Sequence, residues 1–206
     1  MTLEFLFDFG SPNAYMAHKV IPGIEKRTGA KFAYVPVLLG GIFKSTNNKP
    51  PMIAFSGIKG KMEYEMLESQ RFIARHRLTQ YKFNPHFPVN TLLIMRAAVG
   101  AMIDGALMPY VDAVMRAMWE DGKKMDDPDV ARSALDSSGL DGGRILARAQ
   151  DGDVKQRLME TTANAVERGV FGIPTFFVGK EIFFGKNTLR EVEEEIQRAK
   201  ASGSLT

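Results

Sequence analysis

Ser11 lies in the stretch Phe5-Leu6-Phe7-Asp8-Phe9-Gly10-Ser11-Pro12-Asn13-Ala14-Tyr15, where an apolar strand pattern hands over to a helical one. A helix N-terminus leaves backbone N–H groups unpaired and carries the positive end of the helix dipole, so it favours an anion. Gly10 permits a tight turn, and Pro12 suits the first helical turn because its missing N–H would be unpaired anyway. The turn therefore offers a hydroxyl beside an anion site. The 206 residues include no cysteine, so the chain performs no disulfide exchange with thiols of its own. Sulfur chemistry here has to arrive with a ligand. Taken alone, Ser11 is equally well explained as a plain helix cap, worth about 1 kcal/mol.

A second segment, Gly172-Ile173-Pro174-Thr175, opens an apolar strand. Proline there removes a ladder donor, and a cis Ile173–Pro174 bond accounts for it by turning the Ile173 backbone toward a groove. Between Glu25 and Glu63 there is no Asp or Glu, whereas Lys26, Arg27, Lys31, Lys44, Lys49, Lys59 and Lys61 all fall in that run. The acid-free run favours an anionic ligand more than any one lysine does. His18, His76 and His86 have no metal-ligand spacing and are read as structural. A glycine-rich dinucleotide fingerprint is absent.

The elements that must position these groups follow from periodicity. Residues 3–9 read as a buried strand, Pro12 to about Thr28 as a helix ending at Gly29 with a kink at Pro22, and 31–37 as a second strand. This βαβ unit implies parallel strands. Gly40, Gly41, Asn47, Asn48, Pro50, Pro51, Gly57 and Gly60 mark a long irregular loop. Helices follow near 61–76, 90–104, 107–121, 128–138 and 142–149, with Asp127 and Asp151 as caps for 128 onward and for a helix ending at Gly169. Methionines at 95, 102, 108, 115, 118 and 125 are core packing between them. Two short strands flank Gly179-Lys180 as a hairpin, and an amphipathic helix closes the chain from about Thr188 to Lys200. The terminal pieces, 1–38 and 168–206, close one discontinuous domain, and 39–167 is a helical insertion.

Net charge is +3 with a pI near 9.1, a mild basic bias that favours small anionic partners over nucleic acid. No apolar run reaches membrane-spanning length, and Met1-Thr2-Leu3-Glu4 enters a strand without a signal-peptide layout. A cytoplasmic protein is the simplest expectation.

The βαβ start, the helical insertion and Ile-Pro-Thr before a hairpin together resemble the α/β thioredoxin fold in its DsbA-like form, with Ser11-Pro12-Asn13-Ala14 at the place of that family's Cys-x-x-Cys motif. Closer resemblance is to 2-hydroxychromene-2-carboxylate isomerases and the related kappa-class glutathione transferases. It is carried by Phe7-Asp8-Phe9-Gly10-Ser11-Pro12, by Leu38-Leu39-Gly40-Gly41-Ile42-Phe43-Lys44 with Asn48-Lys49-Pro50-Pro51, by Pro88-Val89-Asn90-Thr91-Leu92, and by Val170-Phe171-Gly172-Ile173-Pro174-Thr175-Phe176.

The resemblance implies that Ser11 donates a hydrogen bond to the sulfur of bound glutathione and holds it as thiolate. It also implies that Ile173, beside Pro174, pairs through its backbone with the cysteinyl part. Asn48 then reaches the ligand, and Lys61, with Lys59 as competitor, meets the glycyl carboxylate. Lys186 and Asn187 fall at the γ-glutamyl end, where relatives usually carry an Asp; the charge pair with the ligand's ammonium is lost and Lys186 would repel it. Asn13 stands where many relatives have tyrosine.

The implied activity is a glutathione-dependent isomerase interconverting 2-hydroxychromene-2-carboxylate and trans-o-hydroxybenzylidenepyruvate in bacterial aromatic breakdown, without a metal. One alternative keeps the site but conjugates glutathione to an electrophile. Another is a redox-inactive module that grips extended peptides at the proline strand. A homodimer is expected by analogy.

Overall fold

The computed structural model describes residues 2–203; Met1 and 204–206, the outer ends of the two terminal segments, lie outside the described residues. Strand β1 (Leu3–Phe7), helix α1 (Pro12–Thr28) and strand β2 (Ala33–Pro36) form the expected βαβ unit, with β1 and β2 parallel and Phe5 opposite Tyr34. Helix α1 runs continuously through Pro22 and ends at Gly29, whose φ of 69° is left-handed, a conformation glycine adopts without a Cβ penalty.

Eight helices then precede the next strand: α2 (Leu39–Thr46), α3 (Pro51–Ala54), α4 (Lys61–His76), α5 (Leu92–Ile103), α6 (Leu107–Trp119), α7 (Pro128–Asp136), α8 (Gly142–Arg148) and α9 (Gly152–Glu167). The chain returns as the hairpin β3 (Thr175–Val178) and β4 (Glu181–Phe184), a 3-10 turn at Lys186–Thr188, and α10 (Leu189–Ala201). Strand order is β2-β1-β3-β4, with β3 antiparallel to both neighbours. This is a DsbA-like thioredoxin fold with a helical insertion.

Two expectations need correction. The stretch expected to be irregular folds into α2 and α3. Ile42 is fully buried, and a Cβ on Gly41 would lie 3.2 Å from the Thr162 methyl of α9, so close packing outweighs the poor helix propensity of Gly40 and Gly41. Asp151 occupies the N-cap position of α9 but makes no cap hydrogen bond; its carboxylate accepts from Arg148 at 2.7 Å instead. Asp127 caps α7 as expected, accepting from Asp129 and Val130.

The core is aromatic where the sheet meets α1. Phe5, Phe7, Phe9 and Phe176 have no exposed surface, and Phe5 stacks on Phe176 at 5.3 Å between ring centroids. Each such ring contributes about 1.5–3 kcal/mol by leaving water. Helices α5 and α9 pack on β2 and α1 packs on α10, where the Arg27 guanidinium grips Glu193 at 2.6 and 2.7 Å. Met95, Met115, Met118 and Met125 are core residues, while Met108 is 41% exposed.

Candidate active site

The turn between β1 and α1 is held from three sides. Asp8, 1% exposed, accepts from the Gly10 N–H at 2.8 Å through one carboxylate oxygen and from the Leu39 N–H at 2.8 Å through the other. Burial raises its carboxyl above the ordinary value, against the opposing effect of hydrogen bonds from Gly10, Leu39 and Thr91. From the insertion, the Trp119 indole N–H donates to the Phe9 carbonyl at 2.9 Å. A Cβ at Gly10 would meet the Thr91 methyl at 3.2 Å, so the start of α5 packs directly on the turn.

Ser11 sits at the N-cap of α1 with extended backbone, and its oxygen accepts from the Ala14 N–H at 3.2 Å. Its proton goes to the Ile173 carbonyl, also at 3.2 Å. With 5% of its surface exposed, the hydroxyl is engaged at both ends and does not stand open beside an anion site as the sequence suggested. Pro12 has no N–H and that of Ala14 is taken, so the Asn13 N–H is the first-turn donor without a partner among the described residues.

The Ile173–Pro174 peptide bond is cis. Among the described residues the Ile173 N–H carries no hydrogen bond. The Pro174 carbonyl accepts from the Gly185 N–H at 2.9 Å, which brings the 3-10 turn bearing Lys186 and Asn187 against the proline loop. Ser11, Ile173, Pro174, Lys186 and Asn187 therefore form one neighbourhood. Asn48 joins its edge by donating its amide N–H to the Phe171 carbonyl at 2.8 Å. Lys61 is not drawn in: it pairs with Glu65 on α4 and lies over the Phe55 ring at 4.9 Å.

Lys186 departs from expectation. It is 3% exposed, ion-paired with Glu68 of α4, hydrogen-bonded to the Asn187 side-chain oxygen at 2.9 Å and stacked over the Phe72 ring at 4.9 Å. Its charge is balanced within the fold by the Glu68 carboxylate rather than left free as the sequence suggested. Asn187 itself is exposed. The acid-free run is also partly compensated from elsewhere, since Lys31 pairs with Glu25, Arg27 with Glu193 and Lys61 with Glu65.

Sequence reasoning passed over Asp8, although an acid between Phe7 and Phe9 in an apolar strand signals a buried, hydrogen-bonded carboxylate. His18, read from the sequence as structural, is indeed buried. The ring is 7% exposed, with Nδ1 2.9 Å from the Tyr34 hydroxyl and Nε2 3.1 Å from Asp112. That aspartate borders a groove of about 690 Å³ lined by Tyr15, Lys19, Arg116 and Glu120, which contains none of Ser11, Ile173, Pro174, Lys186 or Asn187.

The sheet order, the helix following β1 and the cis proline opposite its first turn define a thioredoxin-like protein with a serine hydroxyl at that turn. The chain belongs to the DsbA-like thioredoxin family, whose domain matches residues 2–197. It is 26% identical over 201 residues to a 2-hydroxychromene-2-carboxylate isomerase of Pseudomonas putida, covering 96% of this chain and 95% of that one. Glutathione S-transferase kappa 1 of Rattus norvegicus is 27% identical, over 84% of this chain and 79% of its own. The fold superimposes on a solved 2-hydroxychromene-2-carboxylate isomerase with a TM-score of 0.84 at 24% identity, covering 99% of this chain and 98% of the other.

Proposed function

We propose that this protein is a glutathione-dependent cis-trans isomerase of the 2-hydroxychromene-2-carboxylate type, acting on an aromatic 2-oxo acid. The reading rests on the Ser11 hydroxyl meeting the Ile173 carbonyl beside cis-Pro174, a donor set at the place where the family's redox members carry thiols. The residues fit the tripeptide thiol chemically. Unpaired N–H groups at Asn13 and Ile173, and the exposed Asn187 amide, supply donors for its carbonyl and carboxylate oxygens. Similarity to a glutathione transferase supports the choice of thiol.

When bound, glutathione supplies a thiolate that adds to a conjugated carbon and leaves again. The chain's contribution is electrostatic. Ser11 redirects its proton from the neutral Ile173 carbonyl to an anionic sulfur, exchanging an ordinary hydrogen bond for a charge-assisted one worth about 1.5–3 kcal/mol. That lowers a thiol pKa by about one to two units. The positive end of α1 acts in the same direction. Asp8 and Trp119 hold the turn in place, so the donor needs little reorganisation when charge develops.

A transferase conjugating glutathione to an electrophile would use the same residues, and the kappa-class relative favours that second reading. Turnover of 2-hydroxychromene-2-carboxylate with total glutathione followed separates the two. Isomerisation at constant glutathione is the expected result; stoichiometric consumption assigns the transferase. No thiol-dependent turnover of either kind overturns both.

A further inference from the structure

Residues 47–60 run from the end of α2 through the four-residue α3 to the start of α4, and all but Phe55 are exposed. Helix α3 has no buried residue. Met52, Ile53 and Ile58 are 54%, 59% and 55% exposed, so three large apolar side chains meet water within seven residues. Tyr64 and Leu67, on the following α4, are exposed as well. Apolar side chains gathered in this way mark an interaction surface, whereas single ones are ordinary. The segment also carries charge of one sign. The first acid after Glu25 is Glu63, and Lys49 and Lys59 flank the three apolar residues in sequence. Both lysines are exposed and have no ion-pair partner among the described residues, and the same holds for Lys44 near the end of α2. Asn48 ties the base of this tip to the Phe171 carbonyl at 2.8 Å, two residues before Ile173.

We infer that residues 49–59 dock on the surface of an anionic lipid bilayer, with Met52, Ile53 and Ile58 entering the boundary between headgroups and acyl chains and Lys49 and Lys59 meeting lipid phosphates. Charge selects this occupant. A second copy meeting the tip across a two-fold axis would set lysine against lysine, with no acid in the segment to pair them. Anionic headgroups neutralise the same lysines, each favouring the bound state by about fivefold. Apolar insertion adds to this and anchors the tip against salt. The attachment is peripheral, since no helix among the described residues is long and apolar enough to cross a membrane. It does not depend on the glutathione reading, although the Asn48 bond places the tip beside the neighbourhood of Ser11.

Co-sedimentation of the intact protein with vesicles tests this, using phosphatidylcholine alone and phosphatidylcholine with about one third phosphatidylglycerol. The expected partition coefficient is at least about tenfold higher on the anionic vesicles and falls when salt is raised from about 50 to about 500 mM. Two surface variants separate the contributions: Lys49→Gln with Lys59→Gln, and Ile53→Ser with Ile58→Ser. Each should lose about tenfold or more on anionic vesicles. Equal partitioning to the two vesicle types, or none to either, overturns the inference. So does binding to anionic vesicles that survives both variants, because the overall basic charge of the chain then accounts for it. Light scattering of the same samples without lipid gives the remaining outcome. A dimer that Ile53→Ser with Ile58→Ser converts to monomer assigns the tip to a second copy and overturns the lipid reading.

Discussion

The Ser11 hydroxyl donates to the Ile173 carbonyl at 3.2 Å, joining the first turn of α1 to the loop before β3. The same oxygen accepts from Ala14, so one side chain caps a helix and clasps two distant segments of the chain. A purely structural serine and a catalytic one make different demands on the Ser11→Ala variant. Loss of the cap and of the clasp lowers stability by about 1–2 kcal/mol in urea unfolding. Loss of a donor to developing negative charge lowers kcat/KM roughly a hundredfold at a pH and temperature where the variant remains folded. A drop in activity no larger than the drop in folded fraction contradicts the catalytic role.

Asp8 supports the same turn at a cost that depends on pH. Burial raises its folded-state pKa above the ordinary 3.8, so the folded chain holds this proton more tightly than the unfolded one. Its contribution to stability is complete below about pH 4 and is lost as pH rises through the elevated value. Asp8→Asn removes that titration and places an NH2 group against either the Gly10 or the Leu39 N–H, costing about 1–3 kcal/mol. Urea unfolding of both proteins from pH 3 to pH 7 should show the wild type's advantage largest in acid and shrinking upward. An advantage that grows with pH contradicts the assignment.

Glu68 and Lys186 join α4 to the turn after β4, and their burial is unequal. The Lys186 side chain is 3% exposed and that of Glu68 22%. Glu68→Ala strands a buried ammonium and should cost about 3 kcal/mol, whereas Lys186→Met leaves an acid that still reaches water and should cost much less. Adding Lys186→Met to Glu68→Ala should recover most of the loss. Equal costs for the two single variants, measured by denaturant unfolding, contradict this account of the pair.

What the sequence made legible follows local rules. Gly10 and Pro12 announce the start of α1, Gly29 its end, Gly179-Lys180 the β3–β4 hairpin, and Pro174 at a strand's opening the cis bond. What it concealed depends on distant contacts. Helix α2 forms across two glycines because Ile42 is buried and Gly41 packs closely on Thr162 of α9, a partner more than a hundred residues away. Lys186 reads as a free cation until Glu68 arrives from the insertion, and Asp151 reads as a cap until Arg148 claims its carboxylate. The double engagement of Ser11 was equally hidden, since Ile173 meets it only after the sheet closes.

The central claim is that the Ser11 hydroxyl stabilises the thiolate of bound glutathione. It is tested most directly by titrating bound glutathione through thiolate ultraviolet absorbance in the wild type and in Ser11→Ala. The account predicts a bound-thiol pKa about one to two units below that of free glutathione in the wild type, returning close to the free value in the variant. Equal pKa values in the two proteins contradict it, as does the absence of binding to the wild type at millimolar glutathione.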